Sequence, residues 1–245
     1  MIASYSDLKG RTALVTGASS GIGRGIAEAL TAQGVKVVAQ YRTQAPPEGT
    51  IGVRAQLSEE RGCVELVKAA RAAVGELELF VHSAGIYTEG AIATLKAETL
   101  EEMFRVNTFS GFYLMRELVS AGLRNAVFIG STAGQRGEPG HSHYAASKGA
   151  IQSMVMSLAV ELAPRVRVNL VSPGWVRTPM AEESLQRIGP VMVETLPNKR
   201  VAEVDDVVNA ALFLASDASS HLLGQDLCVS GGALLVVPRG QVRKV

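Results

Sequence analysis

The chain has 245 residues, 47% of them hydrophobic and 19% charged, with a formal net charge of +1. This is a globular composition with enough apolar residues for a sizeable core, and the balanced charge gives no composition-level case for nucleic acid or an anionic membrane surface as partner. No apolar run approaches the roughly 18–20 residues of a membrane span, the start "MIASYSDLKGRTALV" is not a secretory signal, and Cys63 and Cys228 have no metal-ligand spacing, which predicts a cytoplasmic protein with both cysteines buried.

Short apolar runs alternate with amphipathic stretches along the whole chain. "TALVT" (12–16) reads as a buried strand and "GIGRGIAEALTAQG" (21–34) as a helix closed by Gly34. Strands are then predicted over 35–40 and 50–55, a helix over 58–74 with Ser58 as N-cap, and a strand over 76–85. A long helix over 97–120 precedes a strand at 125–131, and a second long helix, 144–163, precedes a strand at 166–174. A helix over 204–216 and a strand over 226–232 close the pattern. Such alternation implies right-handed crossovers and a mostly parallel sheet covered on both faces, an α/β fold in one domain spanning 1–245. The link "YRTQAPPEGT" holds Pro46-Pro47 and leaves little room for a crossover helix.

Two stretches carry chemistry. "TGASSGIG" (16–23) lies between the first strand and the first helix, where Gly17, Gly21 and Gly23 allow a tight turn and close approach to a pyrophosphate on the helix N-terminus. Its spacing, Gly-x-x-x-Gly-x-Gly, differs from the commonest dinucleotide fingerprint. In "HSHYAASKGA" (141–150), Tyr144 and Lys148 stand four apart and therefore on one helix face. A phenol is a poor acid near neutral pH, and a neighbouring ammonium is expected to lower its pKa.

Taken in order, "TGASSGIG", "HSAG" (82–85), Asn107, Ser131, "YAASK" (144–148) and "SPGWVRTPM" (172–180) resemble the short-chain dehydrogenase/reductase family. The resemblance runs from about Arg11 to Gly232, and implies a Rossmann-type doubly wound parallel sheet. The closing segment resembles 3-oxoacyl-carrier-protein reductases and related sugar and dihydrodiol dehydrogenases, and the short link after the second strand resembles the dihydrodiol branch. The implied activity is hydride transfer between a nicotinamide cofactor and a carbonyl or secondary alcohol, with an acyl thioester, a cyclic dihydrodiol or a sugar alcohol as substrate. A nucleotide-binding relative without turnover is the competing class, and the intact set Asn107, Ser131, Tyr144 and Lys148 argues against it.

By this resemblance Tyr144 is the general acid toward the carbonyl oxygen, and Lys148 lowers its pKa and binds the nicotinamide ribose. Ser131 bonds the substrate oxygen, with Thr132 as a neighbouring hydroxyl, and Asn107 holds a water that links Lys148 to solvent. The nucleotide is expected against Gly17, Ser19, Ser20, Gly21, Ile22 and Gly23, against Gln56 and Leu57, against Ser83, Ala84 and Gly85, and against Pro173, Gly174, Val176 and Thr178. His82-Ser83 stand where many relatives have Asn-Asn, so side-chain bonds that brace the sheet are expected to be lost. Segment 181–200, with Leu185, Val191 and Leu196, is expected to form a lid. His141 and His143 precede Tyr144 with nothing to indicate a metal site. Tyr41 occupies the position at which NAD-users place an acid, and Arg42 follows it, so NADP is favoured over NAD. The apolar residues of the two long helices (Met103, Phe109, Phe112, Met154, Met156, Leu158) imply a homotetramer, with a dimer as second choice.

Overall fold

The computed structural model describes residues 1–235; the last ten positions of the expected domain, 236–245, lie outside the described residues. Seven parallel strands form one sheet in the order β3-β2-β1-β4-β5-β6-β7. They are β1 (Thr12–Thr16), β2 (Lys36–Tyr41), β3 (Ile51–Arg54), β4 (Leu79–His82), β5 (Asn125–Ile129), β6 (Arg167–Pro173) and β7 (Asp226–Val229). The helices are α1 (Gly21–Ala32), α2 (Glu60–Val74), α3 (Ala97–Phe104), α4 (Ser110–Val119), α5 (Thr132–Arg136), α6 (Ser142–Leu162), α7 (Glu182–Thr195) and α8 (Val204–Ala215).

The strands are apolar on both sides because both faces are covered. Leu14, Val38, Phe80, Phe128 and Leu170 point to the layer holding α2, α4 and α6, where Phe80 and Phe128 meet edge to face at 5.7 Å. Val15, Val37, Val81, Val127 and Val171 point to the opposite layer with α1 and α8. Gly25 lets α1 lie against α8, since a Cβ there would stand 2.6 Å from Val204 Cγ1. Arg167 donates to the carbonyls of Leu214 and Ser216 at the C-terminus of α8, the end at which a cation is favoured. Between β2 and β3 there is no helix; Pro46 packs near Gly52 in the short turn instead.

Three expectations need correction. The long helix 97–120 exists but is broken by a π turn, Arg105–Phe109, between α3 and α4. The N-cap of α2 is Glu59, not Ser58, whose hydroxyl accepts from Gln56 Nε2 instead. Cys63 is buried, which pushes its thiol up to about 12, but Cys228 is exposed because β7 is an edge strand. Segment 181–200 is mostly the helix α7, which exposes Val191 while Leu196 is buried.

Gly62, in the first turn of α2, shows how tightly the sheet-to-helix turns are built. A Cβ there would stand 1.9 Å from the Gln56 carbonyl oxygen. Alanine is favoured over glycine in a helix by about 1 kcal/mol, whereas overpacking of this kind costs about 1–3 kcal/mol. The clash, with a backbone atom that cannot give way, wins, and Gly62→Ala is expected to lower the unfolding free energy by up to about 2 kcal/mol in urea titrations; a more stable variant would contradict this account of the turn.

Candidate active site

At the C-terminal edge of the sheet the crossovers from β1 and β4 leave in opposite directions, and a cleft of about 540 Å³ opens there. Gly17 has φ +65°, and a Cβ on it would stand 2.8 Å from Ala84 Cα; a Cβ on Gly23 would stand 2.3 Å from the Gly17 oxygen. Only glycine fits either place. Ser20 occupies the N-cap of α1, yet its hydroxyl makes no cap bond, so the first-turn amides face the cleft without a side chain across them. The loop is held from beneath by Gln40, which sequence reading passed over. Its Oε1 accepts from Gly17 N at 2.9 Å, and its Nε2 donates to Ala55 O at 2.8 Å. A buried amide inside the apolar run "VKVVAQ" was the available signal.

Ser19, Ser20, Gly21, Ile22, Tyr41, Arg42, Gln56, Leu57, Ser83, Ala84 and Gly85 line the same cleft. So do Pro173 at the end of β6 and Gly174, Val176 and Thr178 beyond it, and the Thr178 methyl lies 3.3 Å from where a Gly21 Cβ would be. The glycine cradle, open helix end and long cleft fit a dinucleotide, and Arg42 at the rim supplies a cation with no carboxylate bonded to it among the described residues. Arg42's own carbonyl accepts from Arg54 Nε at 3.0 Å.

Asn107 sits wholly buried inside the π turn rather than in the cleft wall. Its Oδ1 accepts from Ile86 N at 2.8 Å; its Nδ2 lies 3.0 Å from both Ile86 O and Ser147 Oγ. The Asn107 side chain is thus committed to the backbone after Gly85. The bracing expected to be lost with the Asn-Asn pair is present in another form: His82 Nδ1 lies 3.0 Å from Thr16 Oγ1, and Nε2 lies 3.2 Å from Ser110 Oγ.

Ser131 is the N-cap of α5, a helix absent from the sequence reading, and its Oγ accepts from Ala133 N at 3.1 Å. Gly134 brings α5 against α6, since a Cβ there would meet the Lys148–Gly149 backbone at 2.8 Å. That contact sets the Ser131 hydroxyl near the Tyr144 phenol, on the wall of the same cleft. Lys148 is buried; its Nζ donates to Ile129 O at 2.9 Å and lies 6.0 Å from the Tyr144 ring centre. Burial pulls the ammonium down to about 8. Burial also raises the Tyr144 phenol; the nearby Ser131 hydroxyl lowers it by less, and the Glu138 charge adds to the rise. The expected lowering of Tyr144 by Lys148 is therefore not what this arrangement produces: desolvation dominates, and the phenol stays protonated at neutral pH.

Beyond Tyr144 the cleft is lined by Tyr87, Arg136, Glu138, Trp175 and Met180, none of which the sequence reading singled out. Arg136 and Glu138 form an ion pair at 3.2 Å. Tyr87 meets Tyr144 edge-on at 4.8 Å and stacks on His141 at 4.3 Å. His143 Nε2 bonds Thr88 Oγ1 at 2.9 Å; both histidines are buried and stand behind the cleft wall. Arg187 of α7 reaches Glu89 at 3.7 Å, linking α7 to the loop after β4. No helix among the described residues is long and apolar enough to cross a membrane.

Comparison with known proteins agrees with this geometry. The family model described as Enoyl-(Acyl carrier protein) reductase matches residues 17–233. L-xylulose reductase of Bos taurus is 38% identical over 241 residues, covering 93% of this chain and 98% of the relative. The 3-oxoacyl-(acyl-carrier-protein) reductase FabG of Escherichia coli (strain K12) is 32% identical over 245 residues, covering 94% and 100%. A solved structure from Beutenbergia cavernae, described as an NAD(P) dependent gluconate 5-dehydrogenase with bound NADP at low occupancy, is 32% identical with a TM-score of 0.87, covering 94% and 99%. With a glycine-cradled cleft, a Ser131–Tyr144–Lys148 cluster beside it and such relatives along almost its whole length, the chain belongs to the short-chain dehydrogenase/reductase family.

Proposed function

We propose that this protein is a cytoplasmic, NADP-dependent reductase of a small hydroxylated ketone, working as a homotetramer of one-domain chains. The observation that carries the reading is the convergence of Ser131, Tyr144 and Lys148 on one end of a cleft whose other end is the glycine loop. The bound nicotinamide would supply the hydride that adds to the carbonyl carbon. The loop from Gly17 to Gly23 would hold its pyrophosphate, and Pro173, Gly174, Val176 and Thr178 would hold the nicotinamide end. Ser131 accepts from the backbone, so its own O–H is free to orient the substrate oxygen. Tyr144, protonated at neutral pH, donates its proton to that oxygen as negative charge develops there. Lys148 has donors left after its bond to Ile129, and these would fix the ribose beside the phenol. Asn107 keeps the 83–86 backbone in place. In the reverse direction Tyr144 accepts the proton.

Tyr87, Arg136 and Glu138 put hydroxyl, guanidinium and carboxylate groups around the substrate, which favours a hydroxylated carbonyl over a long acyl chain. Relatives named L-xylulose reductase and D-erythrulose reductase, at 38% and 36% identity, support the same class. The two unpaired cysteines fit a reducing compartment.

Three outcomes are expected. Tyr144→Phe loses about 10²- to 10⁴-fold in kcat while NADP affinity stays close to that of wild type; activity within tenfold of wild type in a ketose and ketone screen would reject Tyr144 as the acid. The Arg42 guanidinium at the cleft rim favours a 2′-phosphate through charge-assisted bonds. Arg42→Ala is accordingly expected to lower kcat/KM for NADPH roughly tenfold or more and leave NADH little changed; unchanged selectivity removes Arg42 from cofactor choice. Phe109 at the end of the π turn, Phe112 on α4 and Met156 and Val160 on α6 stay exposed, whereas Met103 and Met154 are buried, leaving an apolar face for a second copy. Light scattering should then give about four times the chain mass of 25.8 kDa, and a monomer would contradict the assembly.

A further inference from the structure

We propose that His82 is a positioning residue for the cofactor cleft: its neutral ring, protonated on Nε2, joins the two anchors that hold the 83–86 backbone in place. This rests on the dehydrogenase reading only as regards what the 83–86 backbone binds.

The first anchor is Thr16, whose Oγ1 accepts from Ser83 N and Ala84 N, both at 3.2 Å. The second is Asn107, which takes both the N–H and the C=O of Ile86. Ser83 to Ile86 therefore hang between β1 and the π turn, and all four line the cleft. His82 spans the gap between the anchors, at 3.0 Å from Thr16 Oγ1 and 3.2 Å from Ser110 Oγ.

The direction of each bond follows from counting donors. The two amides take both acceptor positions of the Thr16 oxygen, so its single proton is what remains for His82. The His82 Nδ1 must then be the acceptor, unprotonated. At the other end Ser110 O–H donates to Val106 O at 2.6 Å, within the π turn that carries Asn107. Ser110 Oγ must therefore accept, and His82 Nε2 carries the proton. Donation runs one way, from Thr16 through the ring and Ser110 to the Val106 carbonyl. A protonated ring would bring Nδ1–H against an oxygen with no acceptor position left. Consistently, burial and then the Lys148 charge hold the ring down to about 3. A polar chain of this kind, fully satisfied and buried, fixes one arrangement of its members. Lys148 itself is bonded to Ile129, so the ring has no bond to the reacting cluster.

The test uses the full chain labelled with ¹⁵N-histidine, which has four histidines, with His82→Asn to assign the signal. Long-range ¹H–¹⁵N spectra should show His82 neutral, with Nδ1 bare and Nε2 protonated, throughout the range from about pH 5 to 8 in which an ordinary histidine titrates. The opposite tautomer, or titration in that range, overturns the proposal whether or not the protein is a dehydrogenase. The single tryptophan, Trp175, lines the cleft and reports NADP⁺ binding by fluorescence. His82→Asn keeps an acceptor toward Thr16 but falls short of Ser110, and His82→Phe loses both links. NADP⁺ affinity should fall in the order wild type, Asn variant, Phe variant, the last by roughly tenfold. Ser110→Ala should weaken binding in wild type and add nothing in the Asn variant, the mark of a shared chain. If the Phe variant does not fold, the Asn variant and its Ser110→Ala double decide: Asn-variant affinity equal to wild type, or additive effects, would overturn the link. A wild type that binds no NADP⁺ counts against the dehydrogenase reading, and the tautomer then judges the proposal alone.

Discussion

Where β1 and β4 end side by side, the backbone of Gly17 runs against that of Ala84 with no room for a Cβ between them. The rest of the site follows from that contact. β1 then turns away into α1 on one face of the sheet, while the chain leaving β4 passes to the other, so a cleft forms where the crossovers separate. Because the strands are parallel, β2, β5 and β6 end at the same edge, and each delivers a short loop to that cleft. Buried polar groups keep the seam closed: Thr16 takes two amides of the β4 exit, and Gln40 takes the amide of Gly17. Left unpaired, each such amide would cost about 1–3 kcal/mol.

The chemistry depends on a second close approach. Gly134 on α5 rests on the backbone of α6, which places the Ser131 hydroxyl at the Tyr144 phenol. Lys148, one turn further along α6, is buried and bonded to the last carbonyl of β5. Burial acts on the two groups in opposite senses, raising the phenol and lowering the ammonium, because it disfavours the charged form of each. A protonated phenol is the form that can donate to a developing alkoxide, and Tyr144 is in that form at neutral pH, though burial makes it a weaker acid than an exposed tyrosine.

Much of this was legible in the sequence because it lies in local pattern. Alternating apolar runs marked all seven strands to within a few residues, and the glycine spacing and the four-residue step from Tyr144 to Lys148 need only neighbouring positions. What was missed depends on contacts across the sheet. His82 looked like a lost asparagine, yet Thr16 and Ser110 lie 66 and 28 residues away and supply the partners that make it a brace. The role of Asn107 could not be read from a helical window, since the π turn and the backbone of Ile86 decide it. α5 is five residues long, too short to show a periodic signal, and its partner is α6. The direction of the Tyr144 shift likewise depends on burial, which no spacing encodes.

The central claim is that this cleft transfers hydride rather than only holding a nucleotide. Incubation of the protein with NADPH deuterated at the nicotinamide C4 and a small ketose, followed by mass spectrometry of the polyol formed, tests it most directly. The account predicts one deuterium, transferred as deuteride, on the new carbinol carbon, with equivalent loss of label from the nucleotide. Ketose and labelled nucleotide both recovered unchanged, under conditions in which Trp175 fluorescence shows NADPH bound, would contradict it.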